Sequence, residues 1–285
     1  MMSTNYGELN LKGKVGVITG GGGVICSTMA KAMAEQGVKT AILDLNEEAA
    51  KAVAEEIEKT YNVASIGLSA NVLSRESLEE AKKIINEKLG KVDFLVNGAG
   101  GNAATATTKV EQMTPSDLDT PDDTFFGLQI EGFDKVFDLN FKGTLLPSLV
   151  FAKDMVARQT GGIVNISSMN SYRPLTRIPA YSAAKAAINN FTQWLAVHFA
   201  KTGVRVNSIA PGFLLTNQNR FLLIDEKTGA ATPRGQKIIN GTPMERYGTP
   251  DELTGTLMYL LSDWSKFITG IVIPVDGGFS AYSGV

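Results

Sequence analysis

The chain has 285 residues, of which 44% are hydrophobic and 20% charged, and its 27 lysines and arginines nearly balance its 29 aspartates and glutamates. This composition excludes a strongly basic nucleic-acid-binding protein, and no apolar run reaches the ~18 residues of a membrane span. The single cysteine, Cys26, cannot form an internal disulfide, and one cysteine with one histidine argues against a His/Cys metal site, whereas an oxygen-ligand site stays open.

Short β-branched runs alternate along the chain with helix-forming segments. The predicted strands are residues 14–19, 39–45, 63–72, 92–100, 161–167, 203–212 and 270–278. The predicted helices include residues 27–37, 47–61, 76–90 and 180–201. This alternation indicates an α/β protein with a doubly wound, mostly parallel Rossmann-type sheet covered on both faces. We expect a single domain over residues 1–285, with loop insertions near 101–130 and 212–249, where the period is lost.

A glycine-rich loop, TGGGGVIC (residues 19–26), joins the first predicted strand to the first helix. Gly21, Gly23 and Cys26 fall on the G-x-G-x-x-G spacing, with cysteine in the third place. Because such a loop lets a pyrophosphate approach a helix N-terminus, it predicts dinucleotide binding. Asp44 ends the second strand, where an acid bonds the ribose hydroxyls of NAD and repels the phosphate of NADP. A turn or helix-cap role for Asp44 is the alternative.

Tyr181 and Lys185 are four residues apart in a helix-forming segment, so their side chains share one helix face. A nearby cation favours the phenolate form of a tyrosine, which suits an acid/base group. Ser168 stands at the end of the strand IVNISS, and Asn140 lies in a helical stretch. Each could instead be structural: a surface tyrosine and lysine, a strand-end cap and a helix-interior hydrogen bond.

The order of these motifs resembles that of the short-chain dehydrogenase/reductase family over roughly residues 10–280. The matching elements are the glycine loop, Asn71-Val72, NGAG (97–100), Asn140, Ser168, Tyr181 with Lys185, and PGFLLT (211–216). The chain departs from the usual T-G-x-x-x-G-x-G, because Val24 and Cys26 stand at the two later glycine positions. NGAG also replaces the commoner NNAG.

The resemblance implies a catalytic set in which Tyr181 moves the proton and Lys185 lowers its pKa and bonds the nicotinamide ribose. Ser168 would orient the substrate oxygen, and Asn140 would hold a water that relays the proton. Further residues would contact NAD, the implied cofactor. Besides Tyr181 and Lys185, these are Gly20, Gly21, Gly23, Val24, Ile25, Asp44, Asn71, Val72, the backbone of Asn97, Gly98, Ala99 and Gly100, and Pro211, Gly212 and Thr216.

Polar side chains on the loops after the same strand ends favour a hydroxylated, anionic substrate. They are Asn102, Asn170, Arg173, Arg177, Gln218, Asn219 and Arg220, of which Asn102, Asn170 and Arg173 are the candidate substrate ligands. Arginine binds carboxylates in a bidentate fashion. A solvated loop with surface arginines is the alternative.

Several stretches resemble the D-mannonate oxidoreductase branch of the family, which interconverts D-mannonate and D-fructuronate. Another sugar-acid or polyol dehydrogenase, such as a gluconate 5-dehydrogenase, is the main alternative. An NAD-binding sensor without catalysis and a sugar epimerase or dehydratase remain further alternatives.

The expected partner is a small sugar acid, with neither nucleic acid nor membrane. The resemblance implies a homodimer or homotetramer in which the helix 180–201 and the helical stretch 137–155 form a dimer face, and the C-terminal segment contributes to a second. We expect a cytoplasmic protein, since the first residues, MMSTNYGELNLKGK, lack the apolar core of a signal peptide.

Overall fold

The computed structural model describes residues 8–216 and 219–284, so Gln218, one of the polar loop residues, lies outside the described residues. Within them, seven parallel strands form one sheet in the order β3-β2-β1-β4-β5-β6-β7. The strands are β1 (Val15–Thr19), β2 (Lys39–Asp44), β3 (Ser65–Ser69), β4 (Phe94–Asn97), β5 (Gly161–Ile166), β6 (Val204–Pro211) and β7 (Val272–Val275). The predicted doubly wound sheet is confirmed.

Helices cover both faces of this sheet. They are α1 (Val24–Glu35), α2 (Glu47–Tyr61), α3 (Arg75–Lys88), α4 (Ile130–Phe137), α5 (Gly143–Arg158), α6 (Pro179–His198), α7 (Arg220–Leu223), α8 (Pro233–Asn240) and α9 (Thr254–Leu261). One core layer lies between the sheet and α1, α2 and α9. The other lies between the sheet and α3, α5 and α6. No helix of the described residues has the length and apolar character needed to cross a membrane.

Local capping fixes where the helices begin. Asn46 accepts a hydrogen bond from Ala49 N at the start of α2, and Ser74 does the same for Ser77 N at the start of α3. Helix α1 begins at Val24, three residues before the predicted start, because Gly23 already takes the extended N-cap conformation. The residues that follow the glycine loop therefore form the first turn of a helix.

The strand order reverses between β1 and β4. The chain runs from β1 outward to β3, then returns so that β4 pairs with the other edge of β1. A crevice opens at such a reversal, at the carboxyl ends of the strands. Thr19, the last residue of β1, closes its floor, since its Oγ1 accepts hydrogen bonds from Gly98 N (3.1 Å) and Ala99 N (3.3 Å).

The two segments that lack a clear period contain short helical turns. Four 3-10 turns occur before α4, at Ala104–Ala106, Pro115–Asp119, Pro121–Asp123 and Phe125–Gly127. The second segment contains α7 and α8. An ion pair of 2.8 Å between Glu111 and Lys237 joins the two segments. We propose that both are insertions into one domain.

Candidate active site

The glycine loop makes close backbone contacts that only glycine permits at position 20. Gly20 has a φ of +65°, and a Cβ there would lie 2.9 Å from the Cα of Ala99. Gly21 N donates to the carbonyl of Leu43 (3.0 Å), which ties the loop to β2. The N-terminus of α1 is thereby left open towards the crevice, as an anion-binding helix N-terminus requires.

Cys26, in the third motif position, is buried on the inner side of the loop. Burial raises the pKa of its thiol to about 12, so the thiol stays protonated and unreactive. A Cβ built at Gly98 would collide with the Cys26 sulfur. The cysteine therefore occupies space that a residue larger than glycine would need in the NGAG segment.

Asp44 ends β2 and lines the crevice. Its Oδ2 accepts a hydrogen bond from Gly22 N (3.0 Å) and its Oδ1 accepts one from Asn46 N (2.9 Å). A carboxylate has about four acceptor sites, so these two bonds fix its orientation and leave others for a ligand. The turn role and the ligand-binding role of Asp44 are thus compatible.

The crevice is a cleft of about 510 Å³. Many predicted cofactor residues line it: Gly20, Gly23, Val24, Ile25, Asp44, Gly98, Ala99, Gly100, Gly212 and Thr216. Cys26, Phe213, Leu214 and Asn219 also line it and were not predicted as cofactor contacts. Asn219 fixes the backbone on this side of the cleft, because its side chain accepts a hydrogen bond from Thr216 N (2.9 Å) and donates one to Leu214 O (2.8 Å). The sequence signals for this part of the cleft were the position of PGFLLT after a strand end and the polar residue Asn219 on the loop that follows.

Other predicted cofactor residues do not line this cleft. They are Gly21, Asn71, Val72, Asn97, Pro211, Tyr181 and Lys185. The Asn97 side chain lies inside the protein and donates to Ser148 Oγ (3.0 Å) and Asn165 Oδ1 (2.9 Å). Asn71 is exposed, and its Oδ1 accepts from Leu73 N (2.9 Å), which is the turn role.

Ser168, Tyr181 and Lys185 meet where β5 ends and α6 begins. Lys185 Nζ lies 5.5 Å from the centre of the Tyr181 ring and donates to the carbonyl of Ile166 (2.8 Å). Burial lowers the pKa of Lys185 to about 8. Burial raises the pKa of Tyr181, and a hydrogen bond with the Ser168 hydroxyl acts in the opposite direction. Ser168 and Tyr181 therefore share a hydrogen bond, and the Lys185 ammonium lies close to the Tyr181 ring.

Asn140 lies in a π-helical turn between α4 and α5, Asp138–Lys142, and is fully buried. Its Nδ2 donates to Gly101 O (2.7 Å) and to Val136 O (2.8 Å), so the predicted helix-interior bond exists. A Cβ at Gly100 would lie 2.7 Å from Asn140 Oδ1 and 3.2 Å from Lys185 Nζ. Asn140 therefore lies beside Lys185, with the loop after β4 between them.

The candidate substrate residues differ in their surroundings. Asn102 is exposed and donates to Thr107 Oγ1 (3.0 Å). Asn170 is 5% exposed, and its Oδ1 makes no hydrogen bond to the described residues. Arg173 is exposed, and its Nη1 donates to the carbonyl of Tyr282 near the C-terminus (2.5 Å). Asn170 is the buried, incompletely bonded member of the set.

Arg177 binds the first of the two predicted insertions, residues 101–130. Its Nε donates to Thr108 O (2.8 Å), and Thr108 N donates back to Arg177 O (3.0 Å). This reciprocal pair fixes the insertion to the loop before α6. In the parts of the chain that the structure describes, no three His, Cys, Asp or Glu side chains cluster as metal ligands would.

Comparisons with known proteins agree with this architecture. The family model described as enoyl-(acyl carrier protein) reductase matches residues 22–280. A Bacillus subtilis protein named uncharacterized oxidoreductase UxuB is 52% identical over 97% of this chain and 98% of its own length.

Two solved structures are similar over nearly the whole chain. One, from Haemophilus influenzae with bound NAD, is described as a "putative D-Mannonate oxidoreductase". It has a TM-score of 0.92 and 52% identity, and covers 97% of this chain and 98% of that one. A gluconate 5-dehydrogenase from Burkholderia cenocepacia, in complex with NADP and tartrate, has a TM-score of 0.81 and 28% identity, and covers 96% and 98%.

The chain belongs to the short-chain dehydrogenase/reductase family, as the order of its motifs predicted. Its relatives at 52% identity are oxidoreductases, and the protein is an oxidoreductase of this family.

Proposed function

We propose that the protein is an NAD-dependent dehydrogenase that transfers hydride between nicotinamide and the alcohol or ketone carbon of a small sugar acid. The observation that carries this proposal is the meeting of Ser168, Tyr181 and Lys185 at the end of β5, with Lys185 Nζ 5.5 Å from the Tyr181 ring. This group lies beside the cleft that the glycine loop opens.

The residues of the cleft fit NAD. A side chain at Gly20 would collide with the Ala99 backbone at the cleft. Gly23 caps α1 without a side chain, so a pyrophosphate can approach the helix N-terminus. The oriented carboxylate of Asp44 suits ribose hydroxyls and repels the additional phosphate of NADP. NAD supplies the nicotinamide that accepts or returns the hydride.

The chain's own residues manage the proton. In oxidation, Tyr181 accepts the substrate hydroxyl proton, and in reduction it returns that proton to the forming alkoxide. The Lys185 ammonium stabilises the phenolate by charge. Asn170 N donates to Ser168 Oγ (3.3 Å), which leaves the single Ser168 proton to donate to Tyr181 or, with substrate bound, to the substrate oxygen. Asn140, next to Lys185, would hold the relay water.

The proposed substrate pair is D-mannonate and D-fructuronate. Support comes from the similarity to the Haemophilus protein across almost all of both chains. Two features of this chain suit a hydroxylated acid: the unsatisfied buried oxygen of Asn170 and the exposed guanidinium of Arg173, five residues after Ser168.

The first test replaces the acid/base group. Tyr181→Phe keeps the ring and should lower kcat by at least ~10²-fold while NADH binding is retained. Tyr172→Phe is the matched control, because its hydroxyl, on the neighbouring loop, donates only to Val272 O and should not affect turnover. Normal turnover by folded Tyr181→Phe would refute the assignment.

The second test addresses the substrate carboxylate. Loss of a charge-assisted pair costs roughly 1.5–3 kcal/mol, so Arg173→Ala should reduce kcat/KM for an acid by about 10- to 150-fold and spare neutral polyols. Arg173→Lys keeps the charge and should lose less. An equal fall for acid and neutral substrates would assign Arg173 to the Tyr282 contact alone.

A gluconate 5-dehydrogenase activity is the second candidate, favoured by the similarity to the Burkholderia structure. Side-by-side kcat/KM values for fructuronate and 5-ketogluconate, each with NADH and NADPH, separate the two.

A further inference from the structure

The amide of Asn189 bridges the chain on both sides of Ser168. Its Oδ1 accepts a hydrogen bond from Ser167 Oγ (2.6 Å), and its Nδ2 donates to Ser171 Oγ (2.7 Å). The Ser171 hydroxyl in turn donates to the carbonyl of Ser168 (2.5 Å). One side chain on α6 thus holds the residue before Ser168 and, through Ser171, the backbone of Ser168 itself.

Asn189 also belongs to the helix that carries the other catalytic groups. It is four residues after Lys185 and eight after Tyr181, so all three side chains lie along one face of α6. Lys185 contributes to the same attachment, because its Nζ donates to Ile166 O and its carbonyl lies 3.2 Å from Ser167 Oγ, whose single proton it shares with Asn189. The end of β5 is therefore attached to α6 at consecutive residues before Ser168.

We propose that Asn189 is a positioning residue that sets the distance between the Ser168 hydroxyl and the Tyr181 phenol. This inference rests on the proposed function, in which those two groups act on the substrate oxygen. Asn189 is not among the residues that line the cleft, and it acts through Ser167 and Ser171.

The bridge needs both ends of an amide. A carboxylate could accept from Ser167 but could not donate to Ser171, whose proton is already used on the Ser168 carbonyl. An alanine would lose both bonds and free the 3-10 turn Met169–Ser171 to move relative to α6. Displacements of about 1 Å at a reacting group can cost ~10² in rate.

The test compares Asn189→Ala with Asn190→Ala in the NAD-bound protein. Asn190 is the exposed neighbour, and its side chain makes no hydrogen bond to the described residues. Asn189→Ala should lower kcat by about 10- to 100-fold, with KM and NADH affinity unchanged within about twofold. Asn190→Ala should behave as the unmodified protein.

A titration separates positioning from simple stabilisation. The Ser168 hydroxyl lowers the pKa of Tyr181, so its displacement in Asn189→Ala should move the deprotonation of Tyr181 to higher pH. Ultraviolet difference spectra against the same protein with Tyr181→Phe report this phenolate without any substrate. Ser171→Ala should reproduce the shift, and Ser171→Thr, which keeps a hydroxyl, should restore the original titration.

The outcomes are distinguishable. A lower melting temperature of Asn189→Ala with unchanged kcat and unchanged Tyr181 titration would overturn the positioning role and leave the proposed function intact. Full turnover by Tyr181→Phe would overturn the proposed function itself.

Discussion

Cys26 and Gly98 fit against each other across the floor of the cofactor cleft, because a Cβ at position 98 would collide with the Cys26 sulfur. These are two of the positions where the chain departs from the usual family motifs, with cysteine replacing a glycine and glycine replacing an asparagine. In α1 the larger residue, Cys26, stands where the motif has glycine. In the segment after β4 the smaller residue, Gly98, stands where the motif has asparagine. The two departures therefore compensate for one another.

A double-mutant cycle tests this compensation. Gly98→Asn alone overpacks the floor and should destabilise the protein by roughly 1–3 kcal/mol. Combined with Cys26→Gly, the same substitution should cost at least ~1 kcal/mol less. Rescue should be partial, because the added Cβ would also lie 2.9 Å from Thr19 O. Denaturant unfolding of the four proteins measures the coupling, and additive effects would contradict the fit.

The sequence could predict the sheet but not such contacts. Strand periodicity and strand-end motifs are local signals, and they located all seven strands and the end of β2 at Asp44. The fit of Cys26 to Gly98 depends on how α1 packs on a distant strand end. The backbone of Asn97–Gly100 was predicted to line the cofactor, and the motif gave no indication that the Asn97 side chain bonds Ser148 and Asn165 in the interior.

The role of Asn189 in the site likewise could not be predicted from the sequence. It is one of many asparagines in the sequence, and only the approach of the β5 end to α6 gives its amide two hydroxyl partners. The polar loop residues near Tyr181 were predicted as one group. The structure divides them, since Arg177 fixes the insertion, whereas Asn170 keeps a buried oxygen without a partner among the described residues.

Burial of Lys185 should make stability depend on pH. The folded protein releases the Lys185 proton near a pKa of about 8, whereas the unfolded chain keeps it up to about 10.5. Stability therefore rises with pH through this window and is independent of this group below it. Relative to Lys185→Met, the free energy of unfolding of the unmodified protein should rise by about 3 kcal/mol from pH 8 to 10.5. If the free energy of unfolding changed equally with pH in both proteins, Lys185 would be exposed to solvent in the folded state.

Asp44 should determine cofactor preference. Asp44→Asn keeps the acceptor oxygen for Gly22 N but removes the charge that repels a ribose phosphate. The ratio of kcat/KM for NADPH to that for NADH should increase by about 10- to 100-fold, equivalent to roughly 1.4–2.7 kcal/mol. Glu48→Gln, an exposed carboxylate in the first turn of α2, controls for net charge and should leave the ratio unchanged. A preference for NADPH in the unmodified protein would contradict the role of Asp44.

An apolar groove of about 470 Å³ between α5 and α6 should be the dimer face that the family resemblance implies. Trp194 lies at its edge, 58% exposed, stacked between Phe191 and His198. Burial of such an aromatic side chain at an interface is typically worth at least ~2 kcal/mol, so Trp194→Asp should weaken self-association by about 30-fold or more. Phe267→Asp, which alters an exposed aromatic outside the groove, should leave association unchanged. Sedimentation velocity over a concentration series, with circular dichroism to confirm folding, measures both variants. Equal dissociation constants for Trp194→Asp and the unmodified protein would place the subunit contact on another surface.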